Sequence, residues 1–247
     1  FSMAHGNRDG RNGMMTNGVL MNGAPPPPIT AVREMVFYCF HVVESHFQGI
    51  IPAPPPPAVT NESAAVFTGW YNKGHLRGCI GSLVPCPLHE NLRDRALDAA
   101  FNDSRFPAME HSELPALTCN VNVLHSFEEA RDRYDWVIGT HGLTISFHDH
   151  QRPSRTYKAT YLPSVMTKFG MTQEDAITEL IKKAGYRGRP SESLLNTVRV
   201  TKFQSSELEA GYAEYKAYYK NGHADTMHLN GKVTEGECAN GHCNGST

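Results

Sequence analysis

No apolar run in these 247 residues approaches the roughly 20 needed to cross a bilayer as a helix, so no membrane partner is expected. Nothing after Phe1 reads as a charged start followed by an apolar stretch and a cleavage site, which predicts an intracellular chain, nuclear or cytoplasmic. An opening Phe1 in place of Met is equally compatible with a processed or partial chain. Basic excess is lacking too: 23 Lys and Arg against 25 Asp and Glu give a formal charge of −2, which argues against nucleic acid as a partner. Six cysteines scattered through the chain are too few and too dispersed for a disulfide scaffold, so reduced thiols are expected. There is no His-Glu-x-x-His, no Cys-x-x-Cys and no phosphate-binding Gly-rich loop ending in Lys and Ser or Thr. The stretch Gly78 to Gly81 is too short for a dinucleotide fingerprint. The only His and Cys grouping, His228, Cys238, His242 and Cys243, fits no standard zinc site; no metal is assigned, and the cofactor is left unknown.

What is present is a folded centre between two polar ends. Residues 1–28 are Gly-, Asn- and Pro-rich and 221–247 repeat Asn-Gly pairs, with too little apolar periodicity to offset the entropy of ordering them, so both are expected to be disordered tails. Within 29–220, Val32, Met35, Val36, Cys39, Phe40, Val43 and Phe47 recur at three and four residues, predicting an amphipathic helix capped by Thr30. A proline-rich loop follows, then two strands joined by Asn72-Lys73-Gly74 as a β-hairpin. Pro87 opens a second helix with Leu88, Leu92, Ala96 and Ala99 on one face, ending near Asn102. Leu117, Cys119, Val121 and Val123 alternate with polar residues as in a half-buried strand, and Ser126 with Glu129 suggests a capping box for a short helix. Strands are expected at Leu143 to Phe147, Arg155 to Thr160 and Val198 to Phe203, and a helix from Thr172 to a Gly185 cap. Hairpins mixed with helices, without regular strand-helix alternation, predict an α+β fold: a largely antiparallel sheet with packed helices.

The least ordinary stretch is Leu76-Arg77-Gly78-Cys79-Ile80-Gly81, a thiol flanked by glycines inside a strand. Glycine in a strand marks a bulge or a close approach of backbone or ligand. Two readings stand side by side. Either Arg77 favours a reactive Cys79 thiolate while the amides around Gly78 and Gly81 meet an anion, or Cys79 is a small buried hydrophobe and the glycines make room for packing. Asp103 and Arg105, between a helix end and Pro107, either clamp a polar ligand or form a structural ion pair. His141, next to Gly139 and Gly142, can serve as an acid or base near neutral pH, or simply occupy a turn. Tyr212, Tyr215 and Tyr219 fit a buried helix face better than a stacking platform.

The hexapeptide 76–81, with Asp103-Ser104-Arg105-Phe106-Pro107, His141-Gly142, Ala159-Thr160-Tyr161-Leu162-Pro163 and Lys183-Ala184-Gly185-Tyr186, resembles the AMMECR family, named for the Alport syndrome, mental retardation, midface hypoplasia and elliptocytosis chromosomal region. The resemblance runs from about Ile29 to Tyr219 and implies an intracellular α+β fold of two unequal subdomains with a cleft between them. It carries no assigned reaction, and the Pro54 to Pro57 run and the Val84-Pro85-Cys86-Pro87 segment depart from the family pattern.

Two functional classes follow. In the first, the chain is a cleft-bearing enzyme or small-molecule binder with Cys79, His141 and Asp103 as the chemical groups and Arg77, Gly78, Gly81 and Arg105 holding a small anionic ligand. In the second, it is a non-catalytic adaptor whose surface and tails bind protein partners.

Overall fold

A computed structural model describes residues 27–149 and 152–220. Apart from Pro27 and Pro28, the two expected tails lie outside the described residues, and so does the grouping of His228, Cys238, His242 and Cys243. Six strands, β1 (Ser63–Asn72), β2 (His75–Pro87), β3 (Leu117–Glu129), β4 (Gly142–Asp149), β5 (Arg152–Tyr161) and β6 (Arg199–Gly211), form one sheet in the order β2-β1-β3-β6-β4-β5. Every neighbouring pair is antiparallel. With helices on the sheet, the expected α+β class is what the chain adopts.

Two main cores of unequal size lie along the sheet, beside a small third cluster of Ala65, Leu124 and Phe203. The larger packs α1 (Arg33–Gln48), α2 (Leu88–Leu97) and α6 (Tyr212–Lys220) against β1 and β3, through Phe40, Leu92, Trp70, Val121 and Tyr215 among others. The smaller packs α3 (Pro163–Lys168), α4 (Gln173–Lys183) and α5 (Glu192–Leu195) against β4 and β5, through Met166, Ile177, Leu180, Ile145 and Phe147.

Helix α1 buries more than the single stripe its spacing predicts: Phe37, Tyr38, Glu44 and Ser45 are buried as well. Two helices close the remaining faces: α6 lays Tyr215 and Tyr218 against Phe37, with ring centroids 6.2 Å and 4.9 Å apart, and α2 brings Arg93 and Asp94 near Tyr38. Glu44 becomes the polar joint of the α6 contact, accepting hydrogen bonds from Tyr212, from Tyr215 at 2.6 Å and from Lys216 at 2.9 Å. Against the cost of burial, these donors hold the Glu44 carboxyl below its usual pKa. Of the three tyrosines Tyr215 is buried, while Tyr212 and Tyr219 are half-buried against the larger core.

Two local expectations fail. Thr30 does not cap α1; Val32 holds the N-cap position without a side-chain cap bond, and its carbonyl accepts from Met35 N at 3.0 Å. Ser126 starts no helix, because β3 continues to Glu129 and absorbs the polar residues in a β-bulge, Ser126 taking φ +54° between His125 and Glu128. Pairing with β6 outweighs the local capping pattern there. The hairpin, by contrast, forms as expected, with Asn72 opposite His75 and both Lys73 (φ +50°) and Gly74 (φ +79°) left-handed, the geometry of a type I′ turn. Thr172 caps α4 with Asp175 in a reciprocal capping box, and Gly185 follows at φ +89°.

Candidate functional site

In a flat sheet the five spacings between β2 and β5 would hold those edges about 24 Å apart. Here residues of both edges, Cys79 and Leu76 from β2 and Thr160 and Tyr161 from β5, line one cavity of about 220 Å³. The sheet is therefore strongly curled, and the cavity lies on its inner face. Strand alternation supplies the lining: Phe67, Gly69 and Tyr71 of β1 share a face with Asn120 and Asn122 of β3, which pair with Gly69 and Phe67. Glu207 of β6 pairs with Asn122 and faces the same way.

The elements around Cys79 explain its glycines. After α2 the chain makes a π-helical turn over Asp98–Asn102, and the Ala99 carbonyl comes to rest on Gly78, where a Cβ would lie 2.0 Å from its oxygen. On the cavity side the Phe67 ring lies across Gly81, where a Cβ would approach Cγ to 2.1 Å. Both glycines therefore mark close packing, which is the structural reading of the motif. The motif also contains the bulge that such glycines signal: Trp70 pairs with Gly78 but Tyr71 pairs with Leu76, leaving Arg77 as the extra residue. Arg77 consequently turns to Glu113, with Nε donating at 2.7 Å and Nη2 at 2.9 Å. It is not the cation beside the thiol.

That cation is Arg105. The π turn delivers Asp103 to the open edge of β2, where its carboxylate accepts the Cys79 N–H at 2.9 Å, while Arg105 Nη2 donates to the Cys79 carbonyl at 3.1 Å. Asp103 and Arg105 also form a two-bond ion pair, Nε to Oδ1 at 2.9 Å and Nη2 to Oδ2 at 2.6 Å. Together they satisfy the backbone of an edge strand as a neighbouring strand would. These hydrogen bonds, from Arg105 first and then from the amides of Cys79 and Arg105, bring the Asp103 pKa down to about 2.

Burial pushes the Cys79 thiol up to about 11, with Asp103 raising it further and Arg105 and Lys183 only partly opposing them. Its sulfur stands close to Gly69, 3.7 Å from where a Cβ would be. At neutral pH it is a protonated thiol. Tyr71, which folds over the same glycine, is raised to about 12 by burial and then by Cys79 and Glu207.

Lys183, the last residue of α4, reaches the rim from the smaller core. Its Nζ donates to the Thr160 carbonyl at 2.7 Å and sits 4.9 Å from the centre of the Tyr161 ring. Desolvation, and then the like charge of Arg105, lower its pKa. Across the cavity a polar chain runs Ser205 to Asn122 to Asn120 to Glu207, the last link a 2.7 Å bond from Asn120 Nδ2. Asn120 and Asn122 are buried although they occupy the face that alternation marks as polar.

Of the residues singled out from sequence, the structure brings Cys79, Asp103 and Arg105 together. Arg77 is engaged with Glu113, and Gly78 faces the larger core. His141 lies apart from the cavity lining, its Nδ1 accepting the Val137 N–H at 2.9 Å to close the 137–141 turn. Sequence reasoning did not single out Lys183, Asn120, Asn122, Tyr71 or Glu207 as site residues. The available signal was the pair of amides, rather than charges, on the polar face of β3.

A curled antiparallel sheet backed by helices is also the fold of a crystal structure of an uncharacterised Pyrococcus horikoshii protein, which superposes with a TM-score of 0.60 at 26% identity over 71% of this chain and 89% of that one. Sequence relatives include plant and fungal proteins. An uncharacterised Arabidopsis thaliana protein is 39% identical over 78% of this chain and 91% of its own length. One from Schizosaccharomyces pombe is 36% identical over 74% of this chain and 94% of its own. The family profile described as AMMECR1 matches residues 36–208, so the chain belongs to the AMMECR1 family. Of the five segments that carry the resemblance, those containing Cys79, Arg105, Tyr161 and Lys183 all contribute to the cavity lining.

Proposed function

We propose that this chain binds a small metabolite in the cavity through the metabolite's anionic group, with Arg105 and Lys183 as the receiving cations. The observation that carries this reading is the convergence of those two cations beside Cys79, where the edges of the curled sheet meet. Asp103 positions Arg105 and the edge of β2, and Gly78 and Gly81 let the walls close. A volume of about 220 Å³ lies below the roughly 300–1,000 Å³ of drug-sized pockets, which favours a compact ligand. Binding is favoured over nucleophilic catalysis because the cavity thiol is protonated at neutral pH.

Ligands that prefer the native state raise its melting temperature, so a panel of small carboxylic acids, amino acids and phosphate esters scanned against the full chain tests the reading. At least one class is expected to stabilise the protein, and Lys183→Glu to abolish the effect. A panel that leaves the midpoint unmoved overturns the proposal. The adaptor reading draws on exposed Ile50, Ile51 and Val84. Singly exposed apolar side chains are ordinary on protein surfaces, so it stands second.

A further inference from the structure

The charges around the cavity do not sum to a simple anion trap. Arg105 is already neutralised by Asp103, with only its Nη1 making no hydrogen bond among the described residues. The two remaining charges are opposite: Lys183 on the β5 side and Glu207 on the β6 side both line the cavity. They are not within the 4.0 Å of an ion pair, and among the described residues neither has such a partner elsewhere. Cys79 lines the same cavity and is influenced by both. On Glu207, Asn120 occupies Oε1, and Oε2 has no hydrogen-bond partner among the described residues.

We infer that the ligand is a compact zwitterion, an amino acid or similar aminated acid, whose carboxylate meets Lys183 and Arg105 Nη1 while its ammonium meets Glu207 Oε2. This deepens the binding reading above and rests on it. A ligand carrying only an anion would leave its charge facing the Glu207 carboxylate in a partly enclosed space, where like charges repel more strongly than in water. Phosphate dianions suffer most from that repulsion. A ligand with both charges gives each of these groups the ion-pair partner it lacks and leaves the site neutral. The lining combines apolar Phe67, Leu76, Leu162 and Val165 with polar Asn120 and Ser164, so the walls offer apolar surface to a short aliphatic side chain.

The test compares L-valine with its two halves, isovalerate (no ammonium) and isobutylamine (no carboxylate), by calorimetric titration of the full chain and of the surface variants Glu207→Gln and Lys183→Gln. Valine is expected to bind at least about tenfold more tightly than either half. Glu207→Gln should weaken valine by about tenfold or more and leave isovalerate unchanged or tighter, while Lys183→Gln weakens both. Isovalerate binding as tightly as valine, with no effect of Glu207→Gln, would overturn the zwitterion inference and leave the anion reading standing. No binding of valine, isovalerate or the wider panel of small acids and phosphate esters would remove both.

Discussion

Replacing Asp103 by Asn removes one charge and keeps the side-chain volume, so it isolates what the carboxylate contributes to the edge of β2. Asp103 is buried, its side chain 4% exposed, and receives hydrogen bonds from the Cys79 amide, the Arg105 amide and the Arg105 guanidinium. Its folded pKa of about 2 against an ordinary 3.8 corresponds to about 2 kcal/mol of stability at neutral pH. Because the folded value is the lower one, this stability is complete above the unfolded pKa and is lost as pH falls through the folded pKa. About half of it should remain at pH 3. Urea unfolding of the two proteins should therefore give midpoints separated by about 1 M at pH 7, with the gap narrowing at pH 4 and again at pH 3. Amide exchange adds a local readout, since Cys79 N–H exchanges a carboxylate acceptor for, at best, a neutral amide oxygen and should exchange faster in the variant. A separation that is unchanged between pH 7 and pH 3, or absent at pH 7, refutes the argument that the carboxylate carries this edge as an anion.

Three other outcomes follow from the same geometry. Gly81→Ala forces a methyl into the Phe67 ring and should cost about 1–3 kcal/mol, with Phe67→Leu recovering part of the loss; strict additivity in that double-mutant cycle would rule out the contact as the cause. Cys79, followed by mass spectrometry of its own peptide, should be alkylated at pH 7 more slowly than in urea, and its rate should keep rising toward about pH 11, where a normal thiol would already have levelled off. Glu44→Gln removes the anionic acceptor shared by Tyr212, Tyr215 and Lys216 and should destabilise by about 1–3 kcal/mol in chemical denaturation, whereas an unchanged midpoint would mean that α6 docks by its aromatic contacts alone.

The elements that were legible in the sequence are those whose period is set by one buried face. Alternation located β3, β4 and β5, the Lys73-Gly74 turn located the first hairpin, and Thr172 with Gly185 bracketed α4. Strand lengths were underestimated because the extensions past Val123 and Phe203 carry polar residues and the one past Ile80 carries Gly81, Pro85 and Pro87, and tertiary pairing rather than propensity extends them. The site was half legible. Glycines around Cys79 correctly implied a bulge and close approach, but which side chain the bulge would turn away could not be read locally; it turned Arg77 to Glu113 and left Arg105, 26 residues on, to reach Cys79. Lys183 and Glu207 were illegible as site residues because each looks like the solvent-facing charge of its own element, and only curling of the sheet turns both toward one hollow.

That curling also decides what the thiol can be. Cys79 is held at both backbone polar groups by the Asp103 and Arg105 pair, so its side chain is fixed in place beside Gly69. A fixed thiol next to a guanidinium would ordinarily lose its proton readily. Here burial dominates, and the guanidinium's opposing effect is partly cancelled by the negative charge of Asp103, with which it pairs. Burial is thus what denies Cys79 its thiolate, and the pair that orders the strand does not offset it. The geometry leaves it the role of a small, uncharged part of the cavity wall shared with Lys183 and Glu207, where a larger side chain would fill the space a ligand needs. Cys79→Ser should accordingly leave ligand binding within about threefold, whereas Cys79→Leu should abolish it while the protein remains folded by circular dichroism. Loss of binding in both variants would instead assign the sulfur a direct chemical part.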